Sequence, residues 1–253
     1  MASHFHSFLN TIQRHCREKT TKTAVTRTST ATRIRTIMDD DAFEDAVSVS
    51  EGTTPLSAMA EAFEELSDLL KSRGVDFDLD LKPFCDACSL VSVLFGCLGI
   101  AFKFAEMEYV SKVNDLEDAS EDYGTLTNVL DYDVEMDTVK SPGSLSRNLR
   151  RVRQGLDLIR ALFQNFSSTN DCSLREAAST AYAKVCAPYH TWAIRTAVSA
   201  GMCALPSREQ LLERLNETGE SAERKMRRYI NASRPVIEYI DMLYISRNIS
   251  LDW

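Results

Sequence analysis

The chain has 253 residues, 44% of them hydrophobic, and a net charge of −8, which suits one or two domains with a substantial core. The acidic balance excludes the basic footprint of a nucleic-acid-binding domain and disfavours stable docking on anionic membranes, though not brief contact through a local patch. Seven scattered cysteines, odd in number and without a secretory signal before them, predict reduced thiols in a cytoplasmic setting.

Residues 1–37 carry seven Lys/Arg against Glu18 alone, so this stretch is +6 and the remainder is −14. Its Thr, Ser and Arg content is that of an organelle transit peptide, a disordered extension, or sequence upstream of a start at Met38. Residues 38–54 read as an acidic, disordered linker. Residues 1–54 are thus expected to be an appendage, and 55–253 the folded domain.

Thr54 and Pro55 then offer an N-cap with proline in the first turn. Leu56, Met59, Phe63, Leu66 and Leu70 follow at helical spacing, and Gly74 ends the helix. Pro83 opens a long helix centred on CSLVSVLFGCLGIAFKFAEMEYVSK, Cys88–Lys112. Its apolar run, Leu90–Phe104, is interrupted by Gly96, Gly99 and Lys103 and is too short to span a bilayer. On one edge of this predicted helix lie Leu94, Cys97, Ala101, Phe104, Glu108 and Lys112. Cys85 and Cys88 form a C-x2-C pair with no second pair and no nearby histidine, so buried thiols are expected rather than zinc ligands.

A helix near 125–140 precedes the break at Ser141-Pro-Gly. The next helix places Leu145, Leu149, Val152, Leu156, Ile159, Phe163 and Phe166 on one stripe. Arg147 and Arg151 lie roughly opposite, one turn apart, above Leu158 and Leu162. Ser173–Glu176 and Ser207–Gln210 are capping-box patterns that open two further helices. Between them Pro188 restarts the chain and a helix runs from about 189 to 205. Arg234-Pro235 is expected to divide the last helical stretch before its apolar end, Val236–Ser246. The prediction is an all-α domain of about eight helices.

The chemistry is sparse. His190 is the only histidine after residue 15, which rules out a histidine-based metal site in the domain. No nucleophile arrangement or phosphate loop is present, so neither enzyme activity nor a cofactor is expected. On spacing alone Glu108 and Lys112 form an ordinary helical ion pair, Arg147 and Arg151 a solvated basic face, and His190 and Trp192 structural residues. The other reading pairs the two lanes as a greasy slot with a charged mouth, the shape that holds a charged lipid.

EMEYVSKV, SRNLRRV and APYHTWAIR, in this order, with LFGCLGIAFKFAEM, Ala204-Leu-Pro206 and the terminal Asp252-Trp253, resemble the glycolipid transfer protein family over roughly Met59 to Trp253. Within it they resemble the plant accelerated-cell-death branch and the ceramide-1-phosphate transfer proteins. The resemblance implies a two-layer all-α sandwich with lipid chains held between the layers. It implies that Glu108 meets the sphingoid amide and hydroxyl, that Lys112, Arg147 and Arg151 bind phosphate, and that His190 recognises the amide. Trp192 matches an aromatic implicated in transient membrane contact. Glycolipid-selective members hold a sugar-stacking tryptophan where this chain has Arg151, whose planar fork suits phosphate. The family residue at position 108 is normally Asp; Glu keeps the charge on a longer arm. The implied function is a monomeric, non-enzymatic carrier of ceramide-1-phosphate with a role in sphingolipid homeostasis and cell-death control. The alternatives are a sensor that binds the lipid without appreciable transfer, and a helical scaffold that binds none.

Overall fold

The computed structural model describes residues 53–73, 78–99, 102–168 and 173–253. The basic arm, nearly all of the acidic linker, Gly74, Ala101 and Cys172 lie outside them. The compact unit Thr54–Trp253 begins with α1 (Pro55–Arg73), α2 (Leu81–Cys97), α3 (Lys103–Asp118) and the single turn α4 (Ser120–Tyr123). It continues through α5 (Leu126–Glu135), α6 (Leu145–Phe166), α7 (Leu174–Val185), α8 (Trp192–Met202), α9 (Arg208–Arg214) and α10 (Gly219–Ile245). No strand occurs among the described residues, only an isolated bridge between Asp80 and Thr125. None of the described helices is long and apolar enough to cross a membrane. The all-α expectation holds, with ten α-helices among the described residues rather than about eight.

Two predicted boundaries are corrected. The continuous helix over Cys88–Lys112 is two helices: α2 stops at Cys97 and α3 starts at Lys103. Gly99 makes the corner at φ +93°, a left-handed conformation that glycine adopts without a Cβ clash. The Gly99 N–H donates to the Gly96 carbonyl at 3.1 Å, and the Phe102 N–H to the Gly99 carbonyl at 2.9 Å. Folding α3 back against α2 lets one apolar run bury on two helices. The single lane from Leu94 to Lys112 therefore does not exist. Leu94 is buried on α2, whereas Phe104 on α3 is 52% exposed.

The second correction is Pro235, which sits inside α10 and does not divide it. An internal proline costs about 3 kcal/mol in a helix and removes the partner of the Asn231 carbonyl. Asn231 is exposed, so water can take that carbonyl. Met226, Tyr229, Ala232, Val236, Ile237, Ile240 and Tyr244 bury one continuous face across the site, at about 1.5–3 kcal/mol for each large side chain. Packing outweighs the local penalty.

The long helices form two layers. α3, α6 and α7 lie side by side in one, and α2, α1 and α10 in the other; α2 against α3 and α10 against α6 join them. The α6 stripe predicted from sequence is the inner face, with Leu149, Val152, Leu156, Ile159, Phe163 and Phe166 all buried. Tyr229 of α10 stands edge-on to Phe63 of α1 at 5.0 Å and to Phe163 of α6 at 5.7 Å, and its hydroxyl donates to the Leu156 carbonyl at 3.2 Å.

Both predicted capping boxes form, at Ser173 and Ser207. A third opens α10, where Thr218 pairs with Ser221; serine at the third helical position hides it from the usual Ser/Thr-x-x-Glu/Gln pattern. Cys85 and Cys88 are buried free thiols.

Candidate functional site

The site is built on the outer face of α6. Its first turn is pinned by Asp133 of α5, whose carboxylate accepts from the Ser146 N–H at 2.7 Å and the Ser146 hydroxyl at 2.6 Å. Ser144 caps the helix by accepting from the Arg147 N–H, and the Tyr244 hydroxyl donates to the Ser146 carbonyl at 2.5 Å. These bonds place Arg147 and Arg151 one turn apart at the edge of the layer, both half-buried. Arg147 Nη1 donates to the Lys140 carbonyl at 2.6 Å and Arg151 Nη1 to Gln154 Oε1 at 2.7 Å. Burial, then the neighbouring charges of Arg147 and Arg150, push the Arg151 guanidinium below its ordinary value, with Glu108 acting in the opposite sense. Such a charge is stabilised by an arriving anion.

Glu108 and Lys112 come from α3, which packs on α6. They pair at 3.7 Å, with side chains 61% and 24% exposed. An exposed i,i+4 pair contributes only a few tenths of a kcal/mol, so either partner can be redirected at small cost. The approach of α3 to α6 is set by Gly155. A Cβ there would lie 2.6 Å from Cε2 of the Tyr109 ring, closer than carbon atoms pack. Tyr109 is buried and donates to the Cys88 carbonyl at 3.2 Å. Asn148 of α6 adds a bond to Asp115 of α3 at 2.9 Å.

His190 follows the 3-10 turn Ala187–Tyr189 in an extended conformation. Its Nδ1 shares a hydrogen bond with the Tyr182 hydroxyl at 2.9 Å. With that hydroxyl donating, Nε2 carries the ring proton and becomes the available donor. Burial, then the charge of Arg151, lowers the imidazole below its usual value, so the ring is neutral at neutral pH.

The structure thus pairs Glu108 with Lys112, sets Arg151 in the field of Arg147 and Glu108, and sets His190 in the field of Arg151. Trp192, at the start of α8, is 74% exposed and is not a packing residue, unlike Trp253, whose ring meets Tyr244. Among the described residues no group of three or more His, Cys, Asp or Glu could hold a metal ion.

Sequence reasoning missed Gln154, Tyr182, Tyr109 and Gly155. Gly155 left a signal, a lone glycine inside a strong amphipathic helix. The others left none, because their partners are defined only by the packed helices.

The profile of the glycolipid transfer protein family matches residues 79–217. The ACD11 homolog protein of Arabidopsis thaliana is 63% identical over 221 residues, covering 85% of this chain and 96% of its own length. Accelerated cell death 11 of Arabidopsis thaliana is 47% identical, over 81% of this chain and 98% of its own length. The crystal structure of a point mutant of Arabidopsis ACD11 complexed with C12 ceramide-1-phosphate superimposes with a TM-score of 0.77 at 46% identity, over 80% of this chain and 100% of that one. The match spans more than half the chain, its near-full-length relatives share the two helical layers, and the chain therefore belongs to the glycolipid transfer protein family.

Proposed function

We propose that the chain is a non-enzymatic carrier that moves ceramide-1-phosphate between membranes. The observation that carries this reading is Arg151: half-buried, beside Arg147, and hydrogen-bonded to a neutral amide rather than to a carboxylate. A phosphate monoester supplies the missing counter-charge through charge-assisted hydrogen bonds of roughly 1.5–3 kcal/mol each. In this reading Arg147, Arg151 and Lys112 hold the phosphate. Glu108 accepts from the sphingoid amide and hydroxyl, and His190 Nε2 donates to the acyl carbonyl. Two relatives support the lipid class: ACD11, whose mutant structure holds ceramide-1-phosphate, and the zebrafish ceramide-1-phosphate transfer protein, 31% identical over 62% of this chain.

The hydrocarbon chains would enter between the layers. Moving them from bilayer to protein exchanges one apolar environment for another, so the burial term of about 0.8 kcal/mol per CH₂ nearly cancels. Selectivity then rests on the headgroup. The proposed carrier unit is residues 55–253, acting as a cytoplasmic monomer, with 1–54 an appended arm and linker. Trp192 makes transient contact with the membrane surface, and the role belongs to sphingolipid homeostasis and cell-death control.

Glu108 favours a second reading, a sensor that binds the lipid without appreciable transfer, because the longer acid must fold back to reach the same amide. Transfer of fluorescent ceramide-1-phosphate between vesicles, against matched galactosylceramide, separates these cases. Rapid phosphate-selective transfer that weakens in Lys112→Ala is the expected result. Binding without transfer would establish the sensor, and equal uptake of both lipids would remove the phosphate site.

A further inference from the structure

The other face of α6 carries charge that the headgroup reading does not use. Arg150, Arg153, Gln154 and Asp157, with Lys184 of α7 and Asp241 of α10, line a cavity of about 250 Å³. Arg160 also lines it, so four cations stand against two carboxylates. Much of this charge is paired within the protein. Arg153 donates to Asp157 at 2.8 Å and to Asp241, and Arg160 to Asp157 at 2.7 Å.

Arg150 is different. It is only 3% exposed, and its Nη2 donates to the Leu251 carbonyl at 2.6 Å. Its Nη1 lies 3.8 Å from Asp241 Oδ1, beyond hydrogen-bond reach, and both Nε and Nη1 are buried with no hydrogen-bond partner in the protein. Gln154 Nε2 is likewise buried and unpartnered. Its assignment is chemically forced, because the guanidinium of Arg151 only donates and must face Gln154 Oε1. Asp241 Oδ1 is an acceptor in the same position. Buried polar groups are nearly always partnered. Here several donors and one acceptor belong to residues that line a single cavity, which has exposed Lys184 and Tyr189 in its lining.

We propose that this cavity is a second oxyanion site, separate from the headgroup site and suited to a phosphate monoester. The ligand oxygens accept from Arg150 and from Gln154 Nε2, the remaining acidic O–H donates to Asp241 Oδ1, and Lys184 adds charge at the edge. Gln154 belongs to both sites, through Oε1 to Arg151 and through Nε2 to the cavity, so occupancy here is felt at the headgroup site. The same chemistry is offered by a soluble phosphate monoester and by an anionic lipid headgroup.

The test uses the full chain in two arms: calorimetric titration with glycerol phosphate, and sedimentation with phosphatidylcholine vesicles with or without phosphatidic acid. In at least one arm, binding should survive Arg151→Ala, weaken about fivefold or more in Lys184→Ala, and disappear in Arg150→Gln. Lys184 is exposed, so its variant keeps the test decisive should the Arg150 variant fail to fold. A signal in the titration assigns a soluble ligand, and one confined to vesicles assigns a lipid headgroup. Absence of binding in both arms overturns the proposal, as does binding that Arg151→Ala abolishes and Lys184→Ala leaves unchanged.

Discussion

Along α6, Arg147 and Arg151 face one side and Arg150 and Arg153 the other, and the two pairs meet different surroundings. The nearby carboxylates are committed to one side: Asp157 and Asp241 serve Arg153, and Asp157 also serves Arg160. Glu108 pairs with Lys112. Arg147 and Arg151 are left with a backbone carbonyl and a side-chain amide. Four arginines within seven residues thus divide by their partners rather than by their spacing. Arg153 ties α6 to α10 through Asp241, Arg150 reaches that carboxylate only at 3.8 Å, and Arg147 and Arg151 meet neutral acceptors.

Four substitutions break or sharpen that contrast. Asp241→Ala should have the largest effect, about 3 kcal/mol of stability, since it strands guanidinium charge at a helix interface; thermal unfolding measures it, and transfer per folded molecule should fall far less than in Arg151→Ala. Arg151→Ala should do the reverse, lowering ceramide-1-phosphate transfer roughly ten- to a hundredfold through loss of a charge-assisted bond of about 1.5–3 kcal/mol, with the melting temperature unmoved. A melting shift without loss of transfer would reverse the assignment of the two sides. Gly155→Ala should cost about 1–3 kcal/mol by pressing into Tyr109, and should slow transfer as well because it moves α3 and its Glu108–Lys112 pair.

His190→Gln gives the smallest effect, read as pH dependence. The folded imidazole lies below its usual value, so the unfolded chain takes up the proton first. Its contribution to stability is therefore present above about pH 6.5 and is lost as the pH falls below that. Unfolding curves of the variant should lack that limb relative to the parent chain. Identical acid limbs would place His190 in a solvated setting instead.

The helical class, the buried α6 stripe and two capping boxes were legible because each depends on residues within a turn or two. The break at Gly99 was not, since apolar residues continue through it and periodicity does not register a change of direction. Pro235 misled in the opposite sense: the local rule was right about cost and silent about the buried face that outweighs it. At the candidate site, Arg147 and Arg151 could be named from spacing and resemblance. Their contrast with Arg153 could not, because its partner Asp241 lies 88 positions away in the chain. Whether a charge is available or committed is a tertiary property.

Pro235 has one more consequence. It contributes no amide and leaves one rung out of the α10 ladder, between two halves with different anchors. The first half holds α1 through Arg228 and Glu64 at 2.6 Å and reaches the middle of α6 through Tyr229, and the second holds the first turns of α6 through Asp241 and Tyr244, with Arg247 just past the helix end bonded to Asp131 of α5. Hydrogen–deuterium exchange should therefore resolve this 27-residue helix into two protection blocks meeting near Asn231, each opening with the helices it grips.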